Sequence, residues 1–439
     1  MSRKHFDVVI AGGGVIGCGI AYKLSRDKGL SVAVIDKKKP GNATRASAGG
    51  LWPVGEAVGT GCEVIIFRAY CERMARDPSS SGIPEWPHKA PDFFVDFNLQ
   101  STAMYPALAE EMRQEHGLDF KLLKSGLKFL AFDEVDRRFA DHVVESNPRL
   151  RRHMRWLDAG ELHRDEPHVA KGTVGALEFT SDDHVNPFLL LKCYREGARR
   201  NGATLFSETE VTGVTMSGGR VTGVRTPEEE IGCDLLINAA GAWASDLTRM
   251  VFGRPIPVMP VKGQVVLTEK LPPLLRSNLS TADCYIVQKD NGEVFIGATF
   301  EDKGYDTTIT EPEIRGLCAG AVRCIPMLKN VNIKRTWAGL RPGTPDDLPI
   351  LGPVRGVSGY LNACGHFRLG VTTAAITTEI VDALVHHRTP LVDITPYLLD
   401  RYDRKDAWEH SMVFTGSPEP RPMSCKDAGG APQSAAASA

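Results

Sequence analysis

A short β-branched run near the start of the chain leads directly into a glycine-rich turn. Residues 6–11 predict a buried strand, and the spacing Gly12-x-Gly14-x-x-Gly17 predicts the beginning of a helix over about 15–26. Gly12 permits the tight turn, Gly14 lets the backbone approach a pyrophosphate, and Gly17 lets the helix pack on the strand. Because a helix N-terminus directs unpaired N–H groups at an anion, this segment predicts a dinucleotide cradle.

A second strand strengthens this interpretation. Residues 31–35 form another β-branched run, and Asp36 ends it, 19 residues after Gly17. A carboxylate at this position accepts hydrogen bonds from adenosine ribose hydroxyls. A lone glycine triplet is weak evidence for a dinucleotide cradle. Here the predicted strand, loop, helix, second strand and acid all support that interpretation.

Two further segments favour a flavin dinucleotide. Residues 42–52 are small, polar and glycine-rich, which suits a backbone passing near a pyrophosphate and a flavin, although a surface loop is the alternative. Residues 233–238 predict a strand that ends in the small residues Ala239 to Ala242. Ligands of open parallel sheets bind at such strand ends.

Composition narrows the class of protein. Lys plus Arg number 52 and Asp plus Glu 54, so no basic field favours nucleic acid or anionic lipid. The ten cysteines form no Cys-x-x-Cys, which predicts reduced thiols in a cytoplasmic protein and no metal site. The sequence contains no apolar stretch of about 20 residues, so it predicts no integral membrane segment. The last residues, from Thr415, are rich in Pro, Ser, Gly and Ala and predict a disordered tail.

The remainder of the chain predicts a mixture of helices and hairpins. Asn186-Pro187 begins a helix that runs to about Arg200, with Asn as the N-cap. Gly218-Gly219 predicts a hairpin, and Asn291-Gly292 predicts a type I′ turn inside the strands of residues 285–299. Residues 311–325 predict an amphipathic helix. The predicted fold class is α/β, a Rossmann-type nucleotide domain with an inserted α+β domain built on an antiparallel sheet.

Two late segments supply arginines. Residues 337–346 contain Arg341 next to Pro342, and residues 365–370 contain Arg368. A guanidinium grips a carboxylate in a bidentate, oriented way. The following loop enters a helix that ends near residue 386, and its N-terminus offers N–H groups to an anionic reduced flavin. Thr372 either caps that helix or donates to the flavin.

These motifs resemble those of the FAD-dependent D-amino-acid oxidase superfamily, and within it the group of glycine oxidases, D-amino-acid dehydrogenases and iminodiacetate oxidase-like enzymes. The resemblance covers about residues 5–390 and rests on residues 12–17, 44–51, 238–243, 259–263, 284–287, 338–342 and 365–368, in this order. It implies FAD as the cofactor and an insertion that covers one face of the flavin. It also implies an FAD-binding domain of residues 1–85, 151–251 and 336–414, a substrate domain of 86–150 and 252–335, and a tail of 415–439.

The resemblance implies roles for individual residues. Arg341 pairs with the substrate carboxylate, Tyr285 donates a hydrogen bond to it, and Arg368 lies beside flavin and substrate. His366 orders the turn or contacts the flavin. The motifs and the resemblance together predict a cofactor-binding set of Gly12, Gly14, Val15, Ile16, Gly17, Asp36, Lys37, Thr44, Arg45, Ala46, Ser47, Ala48, Gly49, Gly50, Leu51, Val211, Ala240, Gly241, Trp243, Gly339, Gly365, His366, Phe367, Arg368, Leu369, Gly370, Val371 and Thr372.

The chain also departs from the family pattern. Glycine oxidases carry His two residues before the tyrosine, where this chain has Asp283, and they carry Asn and Pro where it has Leu369 and Ala375. These differences argue against glycine itself as the preferred substrate. In the related monomeric sarcosine oxidases a Cys bonds the flavin covalently, and Gly339 aligns with that Cys, so we expect non-covalent FAD.

The expected reaction is FAD-dependent oxidation of a C–N bond by hydride transfer from the α-carbon to flavin N5. The expected substrate is a small amino acid or an N-substituted glycine such as iminodiacetate, sarcosine or glycine, and the imine product hydrolyses to an oxo acid plus amine. Arg341 and Arg368 together favour a dicarboxylic secondary amine. An oxidase using oxygen is favoured over a dehydrogenase using another acceptor, and a homo-oligomer is left open.

A second hypothesis comes from another class of protein. The chain is then the flavin-bearing subunit of a multi-subunit amino-acid dehydrogenase that passes electrons to a partner or a quinone. Because the chain lacks a cysteine cluster, an iron–sulfur relay has to come from a partner. A nicotinamide dehydrogenase is disfavoured, since the arginine and flavin-loop motifs then have no role.

Overall fold

A computed structural model describes residues 4–60, 64, 67, 68, 71 and 90–403. The tail of residues 415–439 lies outside the described residues. The strands are β1 His5–Ala11, β2 Val32–Asp36, β3 Gly50–Leu51, β4 Leu127–Ala131, β5 Met154–Asp158, β6 Gly175–Phe179, β7 Asp183–His184, β8 Thr204–Ser207, β9 Gly213–Ser217, β10 Arg220–Arg225, β11 Glu230–Asn238, β12 Met259–Lys270, β13 Asn278–Ser280, β14 Tyr285–Gln288, β15 Glu293–Gly297, β16 Ile333–Gly343, β17 Ile350–Val354 and β18 Val357–Cys364. The helices are α1 Val15–Leu24, α2 Asp92–His116, α3 Glu134–Ser146, α4 Ala159–Asp165, α5 Pro187–Asn201, α6 Ala244–Phe252, α7 Glu311–Cys324 and α8 Ala374–Val385.

The first sheet has a parallel centre. Its order is β17-β18-β10-β11-β1-β2-β8, with β9 paired to β10. Strand β1 runs parallel to β2 and β11, and β18 runs parallel to β11. The apolar run of β1 is buried on both faces, because α1, α5 and α8 pack on one side and α6 covers the other. The carboxyl ends of β1, β2, β11 and β18 therefore meet at one edge.

The second sheet is largely antiparallel. Its order is β16-β12-β15-β14-β13-β4-β6-β5, and β13–β4 is its parallel pair. The long pair β12 and β16 sets Val261 opposite Arg341 and Gly263 opposite Gly339. One face packs with α3, and the other packs with α7 and α4. The expected class, an α/β fold with a Rossmann-like sheet and a second, largely antiparallel sheet, is confirmed.

Local predictions are confirmed at several element ends. Asn186 accepts hydrogen bonds from the backbone N–H groups of Phe188 and Leu189, so it is the N-cap of α5, which ends at Asn201. Strands β9 and β10 form the hairpin around Gly218-Gly219. Strand β2 begins and ends one residue later than the expected run of 31–35 and includes Asp36.

The predicted type I′ turn is wrong. A type I′ turn needs positive φ at both central residues, and Asn291 is not at positive φ. Instead, the Gly292 N–H donates to the Lys289 carbonyl, and Gly292 itself has a φ of +90°. This is a turn followed by a left-handed glycine, which makes a longer connection between β14 and β15.

The positions of two strands, β5 and β6, bear on the expected domain boundaries. Strand β6 pairs with β4, and β5 pairs with β6, at one end of the second sheet. The interval 151–251, which we assigned to the FAD-binding domain, thus begins with two strands of the other sheet. The expected domain boundaries stay a prediction.

Candidate active site

A cavity of about 480 Å³ connects the carboxyl edge of the first sheet with β12, β14 and β16 of the second. At the first sheet it begins where β1, β2, β11 and β18 end, at Gly12, Asp36, Ala239 and Cys364. Ligands of open α/β sheets bind at such an edge. Arg341, Tyr285 and Arg368 line the same cavity, so the structure brings the nucleotide motif and the late arginines together.

The glycine turn is sterically closed to any side chain. Gly12 has a φ of +114°, and a Cβ on it would lie 2.2 Å from the carbonyl oxygen of Ala239. A Cβ on Gly17 would lie 1.9 Å from the carbonyl oxygen of Gly12, so Gly17 permits the contact between helix and strand. Gly14 is the N-cap of α1 and offers no side chain to the first-turn N–H groups, although Thr44 Oγ1 accepts from Val15 N at 3.1 Å. This geometry suits a phosphate at the beginning of α1.

The end of β2 supplies the charged part of this region. A Cβ on Gly13 would lie 2.7 Å from Oδ2 of Asp36, so the carboxylate lies against the glycine turn. Lys39 Nζ lies 3.0 Å from Oε1 of Glu210 and 5.7 Å from the centroid of the Trp243 ring. An acid beside the glycine turn is the arrangement that the ribose of a dinucleotide requires.

The loop after β2 runs along β16. Asn42 caps the short turn Ala43–Ala46, and the carbonyl of Arg45 accepts from Nε1 of Trp337 at 2.9 Å. A Cβ on Gly339 would lie 2.3 Å from Cβ of Ala46. Gly339 therefore lets the loop approach the second sheet, and it lines the cavity at that approach.

Five residues of the expected cofactor-binding set do not line the cavity, whereas the other members do. Gly17 lies at the contact between α1 and β1, and the Arg45 side chain is exposed. The Gly49 carbonyl accepts from Val185 N, Leu51 packs in the core beneath α1, and a Cβ on Gly365 would meet Thr344. These positions shape the loops rather than face the cavity.

The residues that precede α8 tie the two sides of the cavity together. Thr372 is not the cap of α8, because Thr373 holds that position without a side-chain cap. The Thr372 hydroxyl instead donates to the carbonyl of Gly50 at 3.1 Å. Nε2 of His366 lies 3.1 Å from Oγ1 of Thr377, and burial lowers the pKa of His366 to about 3, so its ring is neutral. His366 thus orders this turn, and it also lines the cavity.

Arg341 is held by neutral groups. Its Nη1 atom donates to the carbonyls of Thr299 at 3.1 Å and Lys262 at 3.3 Å. In the part of the chain that the structure describes, no carboxylate lies within ion-pair distance of this guanidinium. A Cβ on Gly263 would lie 2.4 Å from Nη1, so glycine makes the room for it. A partly buried, uncompensated guanidinium in a cavity is suited to an anionic ligand.

Tyr285 lies beside this guanidinium. Burial raises the pKa of its phenol, and the Arg341 charge opposes that rise, so the hydroxyl is protonated at neutral pH and able to donate. A Cβ on Gly297 would lie 2.5 Å from the phenol oxygen. The ring meets that of Trp52 edge-on, with centroids 5.5 Å apart.

Arg368 meets a carboxylate that the sequence did not reveal. Its Nε atom lies 3.4 Å from Oε2 of Glu56, and both side chains are largely buried and line the cavity. The Arg368 charge also opposes the rise in the pKa of Asp347, which burial raises to about 7. Glu56 follows a glycine-rich loop, and no spacing or neighbouring residue marks it as functional. Trp52 and Gly263 also line the cavity, although neither was among the predicted site residues.

Of the three residues that depart from the family pattern, one lines the cavity and two do not. Asp283 forms an ion pair with Arg323 at 3.0 Å, and both side chains are exposed by more than 40%. Asp283 therefore points away from the cavity, where it cannot select a substrate. Leu369 lines the cavity, whereas Ala375 is buried in α8.

The residues present fit FAD better than a metal. A glycine turn without side chains, an acid at the end of β2 and a long polar loop provide for a dinucleotide at the first sheet, and the second sheet leaves room for a ring system. Among the described residues, no cluster of three His, Cys, Asp or Glu could hold a metal ion. None of the helices in the described ranges combines the length and the apolar character needed to cross a bilayer.

Fold and cavity define a class of flavoenzyme, and comparison with known proteins agrees. The family model described as FAD dependent oxidoreductase (DAO) matches residues 7–384. The chain belongs to this family, and its cofactor is FAD.

Individual relatives narrow the comparison. The chain is 54% identical over 409 residues to hydrogen cyanide synthase subunit HcnC of Pseudomonas aeruginosa, which covers 92% of this chain and 98% of HcnC. Among solved structures, glycine oxidase from Geobacillus kaustophilus has a TM-score of 0.79 at 29% identity, covering 91% of this chain and 99% of that one. Iminodiacetate oxidase from Chelativorans sp. BNC1 has a TM-score of 0.72 at 25% identity, covering 89% and 98%.

Proposed function

We propose that this protein is the flavin-bearing subunit of a multi-subunit amino-acid dehydrogenase of the hydrogen cyanide synthase type, and that it oxidises glycine. The observation that carries the proposal is the 54% identity to a hydrogen cyanide synthase subunit along nearly the whole of both chains. The cavity, which is lined by both the Arg341 guanidinium and the glycine turn, is consistent with it. This proposal follows our second sequence hypothesis rather than the first, a free-standing oxidase.

The chemistry of hydrogen cyanide supports glycine as the substrate. Glycine, C2H5NO2, yields HCN and CO2 when it loses four electrons and four protons. The first two-electron oxidation converts the C–N single bond to an imine, and the second, with loss of CO2, gives the nitrile. Glycine is the α-amino acid whose α-carbon carries no side chain, so it alone leaves an H–C–N unit. In this scheme the imine is oxidised again before it hydrolyses to an oxo acid.

The residues around Arg341 suit a small carboxylate. The guanidinium would hold the carboxylate in a bidentate way, and the Tyr285 phenol would donate to the same group. The Trp52 ring borders Tyr285 in the cavity, where it would restrict the space for a side chain on the α-carbon of a substrate held by Arg341. FAD, when bound, accepts the hydride from that carbon. The chain's own task is to hold the α-hydrogen at a fixed distance and direction, which is the main source of rate in such a site.

A dicarboxylic substrate has less support than the sequence suggested. That preference rested on two arginines, Arg341 and Arg368. Because Glu56 lies 3.4 Å from Arg368, its carboxylate compensates that charge, and Arg341 is left for one carboxylate. We therefore place glycine ahead of iminodiacetate.

An electron acceptor in a partner subunit is the remaining part of the proposal. A relative that is 54% identical to this chain is named as a subunit, which favours transfer to a partner over an oxidase that acts alone. The described cysteines form no disulfide bond, and no metal-binding cluster is found in the described ranges. Further redox centres would therefore belong to other subunits.

The test is anaerobic reduction of the purified holoprotein by glycine. We expect glycine to remove the visible absorbance of the oxidised flavin, sarcosine and iminodiacetate to act more slowly, and a dye to support faster turnover than oxygen. Co-expression with candidate partner subunits should then yield cyanide from glycine. A flavin that stays oxidised with glycine, but is reduced by iminodiacetate, would overturn the assignment of the substrate. Peroxide production as fast as dye reduction would overturn the role as a subunit.

A further inference from the structure

Glu56 brings a carboxylate into the cavity that Arg341 and Tyr285 also line, and its charge acts on the Tyr285 phenol. Its side chain is 16% exposed, and Oε2 lies 3.4 Å from Nε of Arg368. Among the described residues this oxygen makes no hydrogen bond. An ionised carboxylate accepts through both oxygens, so Glu56 retains capacity for a donor supplied by a ligand.

The backbone next to Glu56 is held in place by hydrogen bonds and by packing on the second sheet. The buried carboxylate of Asp182 accepts from the N–H groups of Val54 at 3.0 Å and Gly55 at 2.7 Å. A Cβ on Gly55 would lie 2.6 Å from Leu127 and 2.7 Å from Asp182, so this backbone packs directly on the second sheet. Glu56 N donates to the Trp52 carbonyl at 3.3 Å. A side chain on so firmly held a turn is suited to positioning a reactant.

Arg341 and Glu56 act on Tyr285 with opposite signs. The Arg341 charge lowers the pKa of the phenol, and the Glu56 charge raises it. The phenol therefore lies within the fields of a cation and an anion that line one cavity. A zwitterionic amino acid carries the complementary pair, a carboxylate and an ammonium. Glu56 is the carboxylate whose charge acts on Tyr285, so with the substrate carboxylate on Arg341 it would complement the ammonium.

We propose that Glu56 receives the substrate ammonium, accepting its hydrogen bond and then taking one proton from it. The balanced step is R–NH3⁺ plus Glu56–COO⁻ giving R–NH2 plus Glu56–COOH, with no change in oxidation state. This proposal rests on the proposed function. It supplies an acceptor for the proton that must leave the substrate nitrogen before a hydride can leave the α-carbon. Transfer neutralises the ammonium and Glu56, which a poorly solvated cavity favours relative to water, and it removes the Glu56 charge from Arg368, which opposes it.

Four groups from other elements face Glu56. These are Arg368 before α8, Tyr285 on β14, Asp182 before β7 and Asp347 after β16, and the pKa values of the last three are raised in part by the Glu56 charge. Asp347, with a pKa of about 7, titrates in the neutral range. The slope of a pH profile is therefore informative above about pH 8, where Asp347 is ionised.

The kinetic test compares the holoenzyme with Glu56→Gln, which keeps the shape and removes the proton acceptor. We expect wild-type kcat/KM for glycine to be nearly flat between about pH 8 and about pH 9.5, because the ammonium form is used. Glu56→Gln should lose roughly 100-fold near pH 8 and recover up to about tenfold per pH unit, because it depends on amine that is already neutral. Glu228→Gln, in an exposed turn, is the matched control and should follow wild type. A Glu56→Gln profile parallel to wild type would overturn the proposal.

A binding test separates this role from a structural one. With the flavin reduced by dithionite, glycine binds without reacting, and calorimetry gives its affinity beside that of acetate, which lacks the amine. Glu56→Gln should weaken glycine by roughly 30-fold or more, because the ammonium loses an anionic acceptor, and leave acetate unchanged or tighter, because a negative charge is removed from the cavity. Parallel loss of both ligands would show that Glu56 only maintains the fold.

The same data distinguish the two proposals. Wild-type protein that neither binds nor oxidises glycine overturns the proposed function, and this inference with it. Wild-type protein that oxidises glycine, together with a Glu56→Gln variant that behaves as wild type in both tests, overturns the role of Glu56 alone.

Discussion

Gly263 on β12 makes the room in which the Arg341 guanidinium lies. A Cβ at Gly263 would lie 2.4 Å from Nη1 and 2.5 Å from Nη2 of Arg341. The guanidinium is the far end of a long side chain, so a methyl group there displaces it without disturbing the sheet. The position of the candidate anchor is thus determined by the absence of a side chain on the neighbouring strand.

We therefore expect Gly263→Ala to separate stability from activity. Because the displaced group is a flexible side chain, the melting temperature should change little, whereas kcat/KM for glycine should fall roughly 10- to 100-fold through misplacement of the carboxylate. The measurements are thermal unfolding and steady-state kinetics of the holoprotein. Gly316→Ala, at a helix position where a Cβ meets nothing within 4 Å, is the matched control. Unchanged kcat/KM in Gly263→Ala would remove Arg341 from the site.

Removing the guanidinium itself should have a larger effect. We expect Arg341→Met to cost roughly 2–5 kcal/mol in kcat/KM, the range for leaving one partner of a buried charge pair alone. Arg335→Met is the control, because Arg335 is an exposed cation on the same strand, β16. Steady-state kinetics with glycine measure both variants. A loss below about threefold in Arg341→Met would contradict the role of this residue as the carboxylate anchor.

The local parts of the site could be predicted from the sequence, and its non-local parts could not. Gly12 to Gly17 and Asp36 lie within one β–α–β unit, so their spacing alone carries the geometry. Arg341 could be predicted because its motif lies on a single strand. Glu56, by contrast, depends on Asp182, which lies more than 120 residues later and holds the turn from below. No sequence pattern near Glu56 predicts the contact with Asp182.

The same distinction applies to the fold. The helix of residues 187–201 was predictable because its cap, Asn186, and its terminating Gly202 are adjacent to it. The membership of β5 and β6 in the second sheet was not, because it depends on pairing with β4 across intervening helices. At Asn291-Gly292 the sequence signal for a tight hairpin was misleading, because the turn is centred one residue earlier.

FAD should be released when the protein unfolds. Gly339 offers no nucleophile where related enzymes use a cysteine, and Cys364, which lines the cavity, has a pKa raised to about 12 by burial. A thiol that stays protonated is a poor nucleophile. We expect acid precipitation to leave the yellow chromophore in the supernatant. Flavin absorbance that stays with the precipitated polypeptide would contradict this expectation.

Binding of that cofactor should depend on Gly12. In Gly12→Ala the methyl group meets the backbone carbonyl of Ala239, and the residue must also hold a φ of +114°, so neither strain is relieved by a side-chain movement. We expect the variant to be purified with much less flavin per polypeptide than wild type, and to melt at a lower temperature. Gly172→Ala, where a Cβ meets nothing within 4 Å, is the control. Full flavin content in Gly12→Ala would contradict the proposed cradle.

His366 should make the protein sensitive to acid. Burial lowers its pKa from 6.5 to about 3 in the folded state, so between these values the unfolded chain binds a proton that the folded chain does not. The free energy of unfolding therefore falls as pH falls through this window, by up to about 1.4 kcal/mol per pH unit from this residue. His366→Gln can keep a hydrogen bond to Thr377 and removes the titration. We expect urea unfolding of the two holoproteins to show that the stability of wild type relative to the variant declines from about pH 6.5 to about pH 4.5. His168→Gln, at an exposed position, is the control for the replacement of a histidine by glutamine. A difference that stays constant with pH would contradict this expectation, because it would mean that His366 binds a proton as readily in the folded protein as in the unfolded chain.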